Sequence, residues 1–199
     1  MRKSIVVLTA ALPLALAACG TSTPAAAPPA TVTTSATPPT TVTTAAAPAE
    51  ATTDKAACAA TDFKAELTAQ GRSIALLALT NNGTKECSVR GWAKFSFLAA
   101  DNSSVAVRVG NVDQPGPGTK IVLKPGQSAF AGFKWASCDK GDESCHVVTT
   151  VQVTPPGTGT PLVADFIGFN GGNEKVNELA LSSAQVGTLQ PATQGVVAW

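Results

Sequence analysis

From Cys58 to Trp199, apolar and polar side chains alternate with a period of two in short runs. No apolar stripe of helical spacing is long enough to seat a helix on a core. Alternating or apolar runs occupy 64–68, 73–80, 86–92, 94–98, 105–109, 120–124, 129–135, 146–154 and 162–169. Turn-forming clusters separate them: Gln70-Gly71, Asn81-Asn82-Gly83-Thr84, Asp101-Asn102-Ser103-Ser104, the Gly/Pro stretch 113–118, Pro125-Gly126 and Pro155-Pro156-Gly157. In the run 129–135, Ala131, Phe133 and Trp135 share a face. Seven to nine short strands at about ten-residue spacing predict an all-β domain, a β-sandwich over 58–199, and nothing supports βαβ units. Residues 173–182 could form a short helix, but turn and strand is the expected reading. Asn82-Gly83 is expected to supply positive φ in a tight hairpin turn, and Pro125-Gly126 a type II turn.

The start of the chain follows other rules. Arg2 and Lys3 precede an apolar run from Ile5 to Ala18 that Pro13 interrupts. A positive start, an apolar middle and small residues before a cut are the layout of a bacterial secretion signal. The apolar run is shorter than the roughly 20 residues that span a bilayer. Leu16-Ala17-Ala18-Cys19 resembles a lipobox. That resemblance implies that residues 1–18 are removed as a signal peptide and that Cys19 carries a diacylglyceryl group and fatty acids such as palmitate. Such an anchor contributes about 0.8 kcal/mol per buried CH2, and stable attachment takes two or more chains. Residues 19–57 are Ala, Pro and Thr with little else; no charge occurs between Ser4 and Ala49, and no aromatic before Phe63. Such a stretch has almost no bulky apolar surface to offset the entropy of ordering it, so a disordered linker is expected. In a polyproline II conformation it would reach about 120 Å. Its Thr/Pro composition also matches O-glycosylated stalks.

Charge narrows the partners. With 14 basic against 13 acidic side chains, the net charge of +1 leaves no basic footprint for nucleic acid. No polybasic patch is present for anionic lipid either, so the membrane is met only through the lipid on Cys19. With Cys19 set aside, Cys58, Cys87, Cys138 and Cys145 remain in an exported domain, and four cysteines allow three pairings. Cys58–Cys87 with Cys138–Cys145 is the simplest. The competing reading is a zinc or copper site using cysteines, His146 and the nearby Asp139, Asp142 and Glu143. No CxxC is present, and exported thiol pairs oxidise, so disulfides and no metal or cofactor are expected.

Several fragments recur in a fixed order: Cys58, Leu79-Thr80-Asn81-Asn82-Gly83, Cys87-Ser88-Val89-Arg90-Gly91-Trp92, and Leu123-Lys124-Pro125-Gly126-Gln127-Ser128-Ala129. The set resembles a domain of unknown function found in many actinobacterial lipoproteins, with the pattern Cys…LTNxGxxxCxVxGW…LxPGxSA. The resemblance covers about residues 58–155. It implies an immunoglobulin-like sandwich on the extracytoplasmic face of a lipid-anchored cell envelope, and no established activity.

Catalytic signatures are sparse. A single His excludes schemes that need two imidazoles. No Gly-x-Ser-x-Gly elbow and no Ser-x-x-Lys of the penicillin-binding kind is present, and Gly168 to Gly172 does not lead from a strand into a helix as a phosphate cradle does. The expected function is therefore a non-catalytic binding or interaction module for an envelope protein, glycan or lipid. The alternative is a cell-envelope hydrolase using carboxylates. Binding residues concentrate on loops. The candidate interaction surface is the loop 111–119, with Asn111, Val112, Asp113 and Gln114, together with the loop 137–145, with Asp139, Lys140, Asp142 and Glu143.

Overall fold

The computed structural model describes residues 55–168 and 174–199. The expected signal peptide, Cys19 and nearly all of the expected linker lie outside the described residues, as does the glycine-rich stretch 169–173. The domain is an all-β sandwich. After a 3-10 turn (Ala60–Asp62) its strands are β1 (Phe63–Gly71), β2 (Ile74–Asn81), β3 (Cys87–Val89), β4 (Lys94–Leu98), β5 (Ser104–Val105), β6 (Arg108–Asn111) and β7 (Ile121–Leu123). There follow β8 (Ser128–Ser137), β9 (His146–Val148), β10 (Thr150–Thr154), β11 (Leu162–Val163), β12 (Asp165–Ile167) and β13 (Leu179–Val186). One sheet has the order β12-β1-β2-β8-β13-β6, with β9 also on β13; the second has the order β11-β10-β4-β5; β3 and β7 form a separate ribbon.

Period-two alternation places one face of each strand in the core. On β1 to β2 to β8 several inward residues pair small against large: Ala65 with Leu79, Leu77 with Ala131, Leu79 with Ala129 and Ala75 with Phe133. All of these are buried. The alanines leave room for aromatics from the facing sheet. Phe95 of β4 stacks on Phe133 at 4.5 Å between ring centroids, Trp135 continues the stack at 5.5 Å, and Phe166 meets Trp135 edge-on. Offset and edge contacts of this kind add about 0.5–1.5 kcal/mol each beyond area burial.

Among the described residues the thirteen strands outnumber the nine expected runs because three runs each cross between sheets and 179–186 adds a strand of its own. The run 105–109 divides into β5, paired with β4, and β6, paired with β13. The run 146–154 breaks at Thr149, with β9 on β13 and β10 on β4. Burial there shifts parity, from Val148 to Val151 and Val153. The run 162–169 breaks at Ala164, with β11 on β10 and β12 parallel to β1. The edge strands of the two sheets are thus continuous with each other, β11 with β12 on one side and β5 with β6 on the other. Corners of this kind leave little flat edge for unwanted strand pairing. Residues 179–186, weakly patterned, form the strand β13 between β8 and the β6/β9 edge.

The turn at Asn82-Gly83 differs from the expected positive-φ hairpin: β2 and β3 do not pair, and Gly83 is not among the left-handed residues. The fully buried side chain of Asn81 organises it instead. Its Oδ1 accepts from the Gly83 N–H at 2.9 Å, while its Nδ2 donates to the Lys85 and Leu123 carbonyls at 2.9 and 3.0 Å. This Asx turn needs no left-handed residue. Pro125-Gly126 is the expected turn, with Gly126 at φ 81° and the Gln127 N–H bonded to the Lys124 carbonyl.

The cysteines pair as Cys58–Cys87 and Cys138–Cys145. The first ties the chain entering the domain to β3, beside the Cys58 N–H bond to the Ser88 carbonyl. The second closes the loop after β8. Closing loops of these lengths restricts the unfolded chain by about 3.5 and 2.5 kcal/mol respectively. Thiol titration of the unfolded, unreduced domain is expected to find none of these four free. Cys58→Ser/Cys87→Ser should lower the unfolding free energy more than Cys138→Ser/Cys145→Ser.

After β13 the chain stays beside β8, with Gly187 and Gln190 bonded to the backbones of Gly132 and Phe130. It then crosses the outer face of the large sheet. Val196 is fully buried there, and the Trp199 indole lies under Lys134, whose Nζ is 5.0 Å from the ring centroid. Gly132 permits this approach: a Cβ there would run into the Val196 carbonyl oxygen and come within 3.0 Å of the Trp199 Nε1. Gly132→Ala is therefore expected to lift residues 191–199 off the sheet and cost about 1–3 kcal/mol in urea unfolding. Faster amide exchange confined to that segment is the accompanying sign.

Candidate functional site

The two loops singled out from the sequence stand apart. Leu181 pairs with Ser137, where the 138–145 loop begins, and Val186 accepts a hydrogen bond from Val112, in the 111–119 loop. Five strand residues, about 17 Å, separate these points, so the loops do not share one surface. Each is also internally occupied. In the first loop the Gln114–Pro115 bond is cis, and the Trp92 Nε1 donates to the Val112 carbonyl at 2.9 Å. The buried Thr188 hydroxyl donates to the Gly116 carbonyl at 2.6 Å, and the Thr188 N–H donates to Gln114 at 3.0 Å. Asn111, Asp113 and Gln114 remain exposed, while Val112 is half-buried. In the second loop the Asp139 carboxylate accepts from the Gly141 N–H, Lys140 pairs with Glu178, and Asp142 and Glu143 face solvent. The sulfurs of Cys138 and Cys145 are committed to each other, which removes them from any ligand set with His146.

Two concavities bear on function. A crevice of about 180 Å³ forms where β9 switches to β10 and β11 to β12, lined by Thr149, Val163, Asp165, Lys175 and Glu178 among others. Its two acids are half-exposed and held by lysines: Asp165 lies 3.5 Å from Lys175 and 3.8 Å from Lys64, and Glu178 pairs with Lys140.

The second concavity, about 490 Å³, lies between the Arg90-Gly91-Trp92 bend, Lys94 at the start of β4, Asn111 and the turn Pro155-Pro156-Gly157-Thr158. Gly91, at φ 96°, makes the bend that brings Arg90 and Trp92 to this opening. Lys94 pairs in register with Thr154, so the Pro turn that follows β10 lies beside it. Exposed Arg90 donates through Nε to the Gly118 carbonyl at 3.2 Å, and Thr158 donates to the Pro155 carbonyl at 2.9 Å. Among the described residues no carboxylate forms an ion pair with Arg90 or Lys94. Two cations flank a half-buried indole and two proline rings, a combination suited to an anion with a flat apolar body. Of this groove only Asn111 was marked as a candidate site residue from the sequence. The run Arg90-Gly-Trp92-Ala-Lys94 carries the signal, but Gly91-Trp92 by itself equally suits a strand bend beside a large core aromatic.

The carboxylate held below its usual range is Asp101, through the Ser103 hydroxyl and then the Ser103 N–H. It sits in the β4–β5 turn, at the opposite end of β4 from Lys94, and stays outside the groove.

A family model described as a domain of unknown function (DUF4232) matches residues 58–190. The chain belongs to that family. No curated protein matches it, and no solved structure does. The DUF4232 region begins at the first disulfide cysteine, contains both disulfides and the whole Arg90/Lys94 groove, and ends at Gln190. It therefore includes β13, while the arm 191–199 that covers Gly132 follows it.

Thr188 holds the groove-side loop from within the DUF4232 region. Thr188→Val keeps the shape and removes the hydroxyl that donates to Gly116 and Gln114, so the Gly116 carbonyl loses this partner while Gln114 keeps the backbone N–H of residue 188. A loss of about 1–3 kcal/mol in denaturant unfolding is expected, with raised amide exchange across 111–119. A change below a few tenths of a kcal/mol would show that the loop is held by its other bonds.

Proposed function

We propose that this DUF4232 protein is exported, processed at Cys19 and held by lipid on the outer face of a bacterial, actinobacterial-type cell membrane. The linker of residues 19–57 carries the sandwich into the envelope, where it serves as a non-catalytic binding module. The observation that carries the binding reading is the pair Arg90 and Lys94, whose charges meet no carboxylate among the described residues, beside Trp92. A folded domain gains little from holding two like charges near each other; a ligand of opposite sign gives them a use. The hydrolase alternative needs two close, desolvated carboxyls, one protonated and one ionised. Asp165 and Glu178 instead are half-exposed and each paired with lysine, not desolvated against one another.

Two measurements test this reading. A fatty-acid probe fed to cells should label the wild-type protein and leave Cys19→Ala unlabelled; labelling absent from both would remove the anchor. Crosslinking in intact cells should capture a set of partners that Arg90→Gln/Lys94→Gln loses. An identical set from both proteins would take the groove out of the binding function.

A further inference from the structure

We infer that the Arg90/Lys94 groove takes an acidic sugar, a glycan segment whose carboxylate or phosphate groups meet the two cations while a ring lies on Trp92 and the proline turn. The inference rests on the reading of the domain as a binding module and gives it a ligand class. An Arg guanidinium offers a planar fork that matches a carboxylate or phosphate; the Nε of Arg90 is used on Gly118, which leaves its terminal amino groups to meet a ligand. Lys94 adds a point charge from a backbone position at most about 13 Å from that of Arg90, and both side chains line the one opening, as two acidic units of one oligosaccharide require. The indole is fixed edge-on by its bond to the Val112 carbonyl, so its ring is pre-set rather than ordered on binding. The exposed amide of Asn111 can both donate to and accept from sugar hydroxyls. A volume of about 490 Å³ lies within the range of sites that hold ligands of a few rings.

Other anionic ligands fit less well. A membrane surface calls for large apolar side chains around the cations. The exposed ones among the described residues are Val122 and Val163, and neither lines this groove. An acidic peptide gains most from a backbone ladder, and Pro155 and Pro156 offer it no N–H.

The full folded domain can be titrated with trigalacturonic acid, its carboxyl-reduced neutral counterpart, inorganic phosphate and phosphatidylglycerol vesicles, following the Trp92 indole N–H by NMR. Saturable binding of the acidic trisaccharide is expected, weakened about tenfold or more in Arg90→Gln/Lys94→Gln and again by 0.5 M salt. The Lys94→Glu variant touches no hydrogen bond of the fold and should weaken binding while leaving the melting temperature unchanged. No shift with the acidic trisaccharide overturns the inference. So does equal binding of the neutral counterpart, equal binding of phosphate alone, or vesicle binding without trisaccharide binding. Groove-dependent crosslinked partners persisting in cells despite such a result would remove the sugar and leave the binding module; loss of both would remove both.

Discussion

Phe133 lies between two sheets, and its surroundings set the geometry of much of the domain. On its own sheet it is flanked by Ala75 and Val186, and Ala131 precedes it on the same face. These small neighbours open a slot that Phe95 of β4 fills from the other sheet, ring on ring. A bulkier residue at Ala75 would close the slot, and interiors at organic-crystal density do not absorb an extra side chain without displacement. Once Phe95 is seated, the alternation of β4 turns Lys94 outward beside the Pro155-Pro156 turn. The core stack and the position of one groove cation are therefore consequences of the same packing choice.

The corners complete what the stack begins. A two-sheet sandwich has four edges, each a row of unpaired backbone groups. Here the chain passes from β5 to β6 and from β11 to β12 around the sides, so that edge strands of opposite sheets are joined covalently. The outer face of the large sheet is covered near its centre by residues 191–199, admitted by Gly132. The groove lies at the end of the sandwich, where β4 begins and β10 ends beside the loop that Thr188 and Trp92 hold down. A rigid frame around an unneutralised pair of cations binds with little ordering cost, which supports a recognition role for the site.

Much of the frame could be read from alternation and turn chemistry. The runs at β1, β2, β4, β7 and β8 each became one strand near its expected place, and the simplest cysteine pairing is the one present. Alternation misled where one run serves two sheets. At Thr149 the burial parity slips because β9 faces the core from one side and β10 from the other. No local signal marks that crossing. Residues 179–186 carry Leu, Ala and Ser in an order of weak β propensity, yet β8 and β6/β9 give them partners on both edges. Asn82-Gly83 read as a hairpin turn because local turn propensity cannot register that the buried Asn81 side chain already spends its hydrogen bonds there.

The candidate site was less legible than the fold. Arg90, Trp92 and Lys94 lie close in sequence, but Asn111 and the turn 155–158 join them only through β4–β10 pairing and the Trp92–Val112 bond. The loops 111–119 and 137–145 looked equivalent as exposed connectors; the length of β13 separates them. What the chain alone determined is its all-β character, its division into an Ala/Pro/Thr stretch and a strand-rich domain, and the chemistry of its turns and cysteines. Period-two patterning, side-chain volume and redox chemistry are properties of short segments. The tertiary structure decided which runs cross between sheets, which loop is strapped down and which cations meet no carboxylate among the described residues. Those depend on contacts between residues far apart in the chain, and no local pattern encodes them.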